Sequence, residues 1–314
     1  MLFLANLKQA LLITSPIFIM LILGAFLQRQ RVLTNEFIDV GSNLVFKLTL
    51  PAMLFLSIVN VDVRTAVSLD LLGFALSSNL IVWLLITLLC AKLAYPFAIR
   101  GVVVQGAFRA NTAIIGVALM SNAYGPAGIA ASAFYVATLT LLYNILAVIS
   151  LTPKGSQTSF GTMIKAVGRN PLIIAILLAT TISILQIPVP QAILVSGQYF
   201  ADMTLPLALL CTGASLDFRA MRSDPAPALL ATALRLIIVP IMIVSGAIML
   251  GYRDTELGLI FFMSASPTAA ASYVMAKAMK GDARLAANII ALTTLLFAVT
   301  ASAGFAILRS WSLA

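Results

Sequence analysis

Apolar runs long enough to cross a bilayer as helices recur along the chain, at 10–28, 37–60, 69–93, 99–122, 127–150, 171–187, 190–214, 226–251, 256–279 and 284–309. Short charged or Gly/Pro-bearing stretches separate them, and the pattern predicts an all-α polytopic membrane protein with ten transmembrane helices. The one clear linker, residues 151–169, is rich in Ser, Thr, Gly and Lys. It divides the chain into a first five-helix repeat, 1–150, and a second, 170–314. The first run follows a lone Lys8, lacks a small-residue cleavage site and outlasts a signal-peptide core, so it is expected to remain as a span.

Composition agrees with lipid as the main solvent. Hydrophobic residues make up 61% of the chain and charged residues 9%, with a mean hydropathy of +1.08, where a soluble domain carries about 25% charged residues. The net charge of +9 comes from basic residues scattered between apolar runs. That is the pattern of membrane-flanking charge and not of a nucleic-acid surface, which needs a basic patch interleaved with aromatics. Cys90 and Cys211 both lie inside apolar runs and read as small core residues. Histidine is absent, which removes the commonest proton shuttle and metal ligand. With no clustered acidic pair and no nucleotide-binding loop, an enzyme is not expected, nor a metal or other cofactor.

The two halves echo each other at a fixed spacing. Ser15-Pro16 opening the first span matches Asn170-Pro171 opening the sixth, 155 residues on. Thr49-Leu50-Pro51 in the second matches Thr204-Leu205-Pro206 in the seventh, and Asn111-Thr112 in the fourth falls opposite Ser266-Pro267 in the ninth, at the same offset. Five spans per repeat is odd, so the second copy enters the membrane from the opposite side: a 5+5 inverted repeat, the architecture of many secondary transporters. Twelve basic residues, Arg29 to Arg284, lie in the loops that close odd-numbered spans, against Lys8, Arg64, Arg253 and Arg309 on the other side. Both termini are therefore expected to be extracytoplasmic, in the cell inner membrane.

A few polar residues interrupt the apolar runs, and each charge near a bilayer centre costs at least about 2.5–3.5 kcal/mol. Arg109 opens Arg109-Ala110-Asn111-Thr112 in the middle of span four. Its repeat counterpart is Ser264-Ala265-Ser266-Pro267-Thr268 in span nine, where Pro267 removes a backbone donor. One reading is a kink with small residues for close packing. The other is a pair of broken crossover helices, four and nine, whose unpaired N–H groups receive an anion. On that reading Arg109, Asn111, Thr112, Ser264, Ser266, Pro267 and Thr268 bind substrate, Arg109 by a charge-assisted contact, although a topology role for Arg109 at a helix end stays open. Lys47 and Asp202, also 155 residues apart, read as a buried pair, either a structural ion pair or a coupling site at which Asp202 titrates. Arg235, nearer the end of span eight, is expected to pack locally or snorkel.

The Arg109, Asn111 and Gly116 spacing, the segment around Pro267 and the paired Thr-Leu-Pro elements resemble the auxin efflux carrier family over essentially the whole chain. Within it they are most similar to bacterial malonate and malate permease-like members. The plant hormone carriers have Asn-Pro at both crossovers, whereas here Asn111-Thr112 and Ser266-Pro267 each keep half of that pair, which favours a bacterial carboxylate carrier. The resemblance implies a scaffold of helices one, two, six and seven, a moving transport bundle, an elevator-like motion and a homodimer. The function expected is secondary active or facilitated transport of a small organic anion such as malonate or malate. A sodium-coupled organic-anion symporter of the bile-acid type is the alternative, with a membrane sensor or channel behind it.

Overall fold

A computed structural model describes residues 2–59, 68–93, 95–152, 170–216 and 225–314. Most of the expected linker, 153–169, lies outside the described residues. The described chain is helical, with one isolated antiparallel bridge between Ala110 and Thr268. The helices are α1 (Leu2–Arg29), α2 (Asn35–Val59), α3 (Leu69–Lys92), α4 (Phe97–Phe108), α5 (Thr112–Leu151), α6 (Pro171–Ile184), α7 (Gln191–Ala214), α8 (Ala226–Met249), α9 (Asp254–Ala265), α10 (Ala271–Ala278) and α11 (Ala283–Ser310). Among the described residues seven are long and apolar enough to cross a membrane: α1, α2, α3, α5, α7, α8 and α11. The protein is thus a multi-pass membrane protein.

Local chemistry sets several of the helix starts. The side chains of Thr34, Ser68, Asn170 and Asp282 each accept a hydrogen bond from a first-turn N–H of α2, α3, α6 and α11, and Pro171 occupies the first position of α6, where a missing N–H costs nothing. Two helices loosen into a π-helical turn just ahead of a proline: Val45–Thr49 before Pro51 in α2, and Leu234–Ile238 before Pro240 in α8. A proline cannot donate to the carbonyl four residues back and its ring crowds that carbonyl, so the wider turn absorbs the defect. Lys47 and Arg235 sit on these two turns.

Two expected spans are not continuous. Span four ends at Phe108 and resumes at Thr112, and span nine ends at Ala265 and resumes at Ala271. The resumed half of span four runs on into span five as α5, turned sharply at Gly125 (φ 62°, ψ −148°), a conformation open to glycine and followed by Pro126.

Packing divides the molecule. α1 crosses α7 so closely that a Cβ added at Gly24 or Gly213 would overlap the carbonyl of Leu210 or Leu21. α2 packs on α6 and α7, while α3 packs on α4 and α5, and α8 on α9 and α11. α4 also touches α8 and α11, and α9 touches α5. Large apolar side chains such as Ile19, Leu84, Leu177 and Ile241 face outward, as a lipid-facing surface requires.

Candidate functional site

The two interruptions meet. Residues 109–111 and 266–269 run past each other as short antiparallel segments, with Asn111 N–H donating to Pro267 O at 2.7 Å and Ala269 N–H to Arg109 O at 3.0 Å. Ser266 takes an extended conformation (φ −60°, ψ 144°), as the residue before a proline must. α5 approaches closely here: a Cβ on Gly116 would stand 2.7 Å from Met263 Sδ.

A helix that stops inside an apolar protein leaves its last carbonyls without partners, and here nearly all of those at the end of α4 are satisfied. Gln105 O accepts from Arg109 N–H, Gly106 O from the Thr268 hydroxyl at 2.6 Å, and Ala107 O and Phe108 O from Arg235 Nη1 at 3.4 and 2.8 Å. Arg235 Nη2 donates to Ser264 O, at the end of α9. One guanidinium therefore ties together the C-terminal ends of both half-helices, where two macrodipoles each place about half a negative charge. Tyr143 donates its hydroxyl to Asn79 Oδ1 at 2.9 Å and meets Phe108 edge-on.

Arg235 is fully buried, so of the two expected roles snorkelling is corrected, and the packing role holds with partners that are distant in sequence. The π-helical turn and the packing of α8 against α4 and α9 aim its side chain at the crossing. Sequence reasoning also missed Tyr143 and Asn79, although Asn79, an amide within the apolar run of span three, was a signal in plain view.

Arg109, 8% exposed, behaves differently. Its backbone lies in the crossing, but its Nη2 donates to Asn144 Oδ1 at 2.8 Å and its Nη1 to Met275 Sδ at 2.7 Å. Among the described residues Arg109 and Arg235 are the buried charged side chains, and no acid is buried with them. Beside Arg109, the N-terminus of α5 is open. The N–H groups of Thr112, Ala113 and Ile114 have no acceptor among the described residues, and Asn111, at the N-cap and 6% exposed, makes no capping bond with its side chain.

The second crossover is more self-contained. Ser264 and Ser266 donate to Phe261 O and Phe262 O, the Thr268 hydroxyl to Gly106 O, and Thr268 N–H to Thr293 Oγ1. Arg109, Asn111, Thr112, Ser264, Ser266, Pro267 and Thr268 thus all gather at the crossing, with the hydroxyls on the second strand already donating to backbone.

Lys47 and Asp202 do not belong to this cluster. Both side chains face outward, and Asp202 accepts from Gln198 Nε2 at 2.7 Å with no ion pair to Lys47. Their expected burial is corrected: mid-span position was legible, but the helix face was not.

Comparison with known proteins bears on this arrangement. Residues 158–303 match the family model described as membrane transport protein. The chain is also 25% identical over 293 residues to an uncharacterized transporter of Methanothermobacter thermautotrophicus, covering 90% of this chain and 93% of the relative. The family match over the second half of the chain and the transporter relative agree in pointing to membrane transport, and both are consistent with the resemblance to the auxin efflux carrier family.

Proposed function

We propose that the protein is a secondary carrier of a small organic anion, a mono- or dicarboxylate of the malonate or malate kind, bound at the crossing beside Arg109. One observation carries this reading: the buried charges are two arginines, and among the described residues no buried acid neutralises them. The end carbonyls of α4 and α9 offset Arg235. Arg109 meets only a neutral amide and a thioether. An anion supplies the missing charge, and the N–H groups that open α5 together with the Asn111 amide add neutral donors to it.

The helix contacts support two five-helix repeats of inverted topology. α1 on α7 has its counterpart in α6 on α2, α3 on α4 in α8 on α9, and α4 on α11 in α9 on α5, each pair exchanging equivalent elements of the two halves. On this reading α1, α2, α6 and α7 form a scaffold and the remaining helices a bundle that moves past it, as an elevator, in the cell inner membrane with both termini outside the cytoplasm.

The outward-facing Lys47 and Asp202 favour a homodimer over a coupling role. α2 and α7 are neighbours, and mid-span charges facing lipid are expensive. A two-fold axis at this face sets Lys47 of one copy against Asp202 of the other, a self-complementary contact.

The test is uptake of labelled malonate and malate by the reconstituted protein, with pH, sodium and potential gradients imposed separately. Uptake that Arg109→Gln abolishes is expected. No carboxylate flux under any gradient refutes the reading, and flux lost when choline replaces sodium moves it to a sodium symporter.

A further inference from the structure

The hydrogen bond from Arg109 to a thioether has no structural necessity. Sulfur in methionine is a weak acceptor, yet two buried donors converge on it: Arg109 Nη1 at 2.7 Å and Gln105 Nε2 at 3.7 Å. Gln105 lies one turn before Arg109, the residue that caps α4, and Ser272 one turn before Met275 on α10, which packs against α4. The Ser272 hydroxyl is buried without a partner. Two donors held by a poor acceptor, next to a hydroxyl held by nothing, describe a place shaped for a better acceptor than the one that fills it.

We propose that Met275 is the displaceable occupant of the anion position at Arg109: its sulfur holds the guanidinium between transport cycles and yields that place to the substrate's carboxylate. This rests on the carrier reading above and names the residue that tunes it. The incoming carboxylate accepts from Arg109 Nη1, Gln105 Nε2 and the Ser272 hydroxyl, replacing two weak N–H···S contacts with charge-assisted ones and giving Ser272 a partner. Asn144 keeps its bond to Nη2 throughout, so the guanidinium stays oriented while its other arm changes partner. Met275 is suited to such a role, being unbranched and flexible, only partly buried, and carried on a helix of eight residues. A ligand must out-compete a thioether to enter, which a carboxylate does and a weak neutral acceptor does not.

Malonate binding is measured by calorimetry on the full-length protein in nanodiscs, for wild type, Met275→Leu and Met275→Gln. Leucine matches the volume and removes the acceptor, so malonate binds about fivefold tighter. Glutamine offers Arg109 a stronger acceptor, so malonate binds about fivefold or more weaker. In parallel, peroxide oxidation of Met275 in the wild type is followed by mass spectrometry, with the exposed Met249 as reference. Saturating malonate is expected to raise the Met275 rate and leave Met249 unchanged. Affinities that stay level or move in the same direction in both variants, or a Met275 rate that malonate leaves unmoved, overturn the proposal alone. Wild-type protein that binds no carboxylate overturns the carrier reading together with it.

Discussion

Arg235 and Arg109 stand beside the same crossing, and their surroundings separate what holds the crossing together from what it is for. Arg235 is enclosed by backbone: Ala107, Phe108 and Ser264 give it carbonyl oxygens. These acceptors belong to helix ends that would otherwise be orphaned in an apolar interior. Arg109 leaves the backbone of its own crossing and reaches two side chains, neither of which carries charge. Arg235's two Nη atoms have backbone partners fixed by the fold, although its buried Nε has none, and such a cation reads as structure. Arg109's side-chain partners can be exchanged, as the proposed anion site requires. The same contrast recurs between the crossovers, where the second strand has its hydroxyls engaged and the first leaves the Asn111 amide and the opening N–H groups of α5 free among the described residues.

Substitutions that invert this division test it, and the largest effect is expected at Arg235. Arg235→Leu leaves three carbonyls without donors, and a loss of about 3–5 kcal/mol of stability is expected, read as a collapse of the thermal midpoint and of the folded yield. A variant that remained as stable as wild type would remove the structural role. Arg109→Gln is expected to reverse the profile: the thermal midpoint barely moves, while malonate uptake falls by about 100-fold or more. Asn111→Leu keeps the side-chain volume but deletes an amide aimed at no protein partner, so substrate affinity falls about tenfold with stability held or slightly raised. The smallest effect belongs to Thr293→Val, which takes the acceptor from Thr268 N–H. It costs about 1 kcal/mol of stability and leaves the affinity for malonate unchanged, so a clear change in affinity would mean that the second strand also touches substrate.

How much of this was legible beforehand follows from the physics of each cue. The spans were readable because an apolar run of the right length has few other uses, and the two breaks because Pro267 and the Arg109-to-Thr112 stretch have no place in a continuous apolar helix. Which face of a helix looks inward was not readable. In water the polar face marks the outside, but in lipid both faces are apolar and the cue vanishes, so Lys47 and Asp202 were expected inside and lie outside. For Arg235 the choice between packing and snorkelling was not readable for a related reason. Its acceptors are backbone atoms far away in sequence, and a carbonyl leaves no mark in the residue alphabet. Nor does the sequence say whether a hydroxyl such as Ser266 is already donating to its own helix.

The Arg235 clip also constrains how the molecule can work. One side chain grips the end of α4 from the first half of the chain and the end of α9 from the second, and the Ala110–Thr268 bridge fastens the strands between them. Pulling the two broken helices apart would strip several bonds from an interior with no water to replace them. The crossing is a rivet and not a gate, which agrees with the proposed carrier: a transport motion that keeps these bonds moves the two broken helices together, as one part against its surroundings.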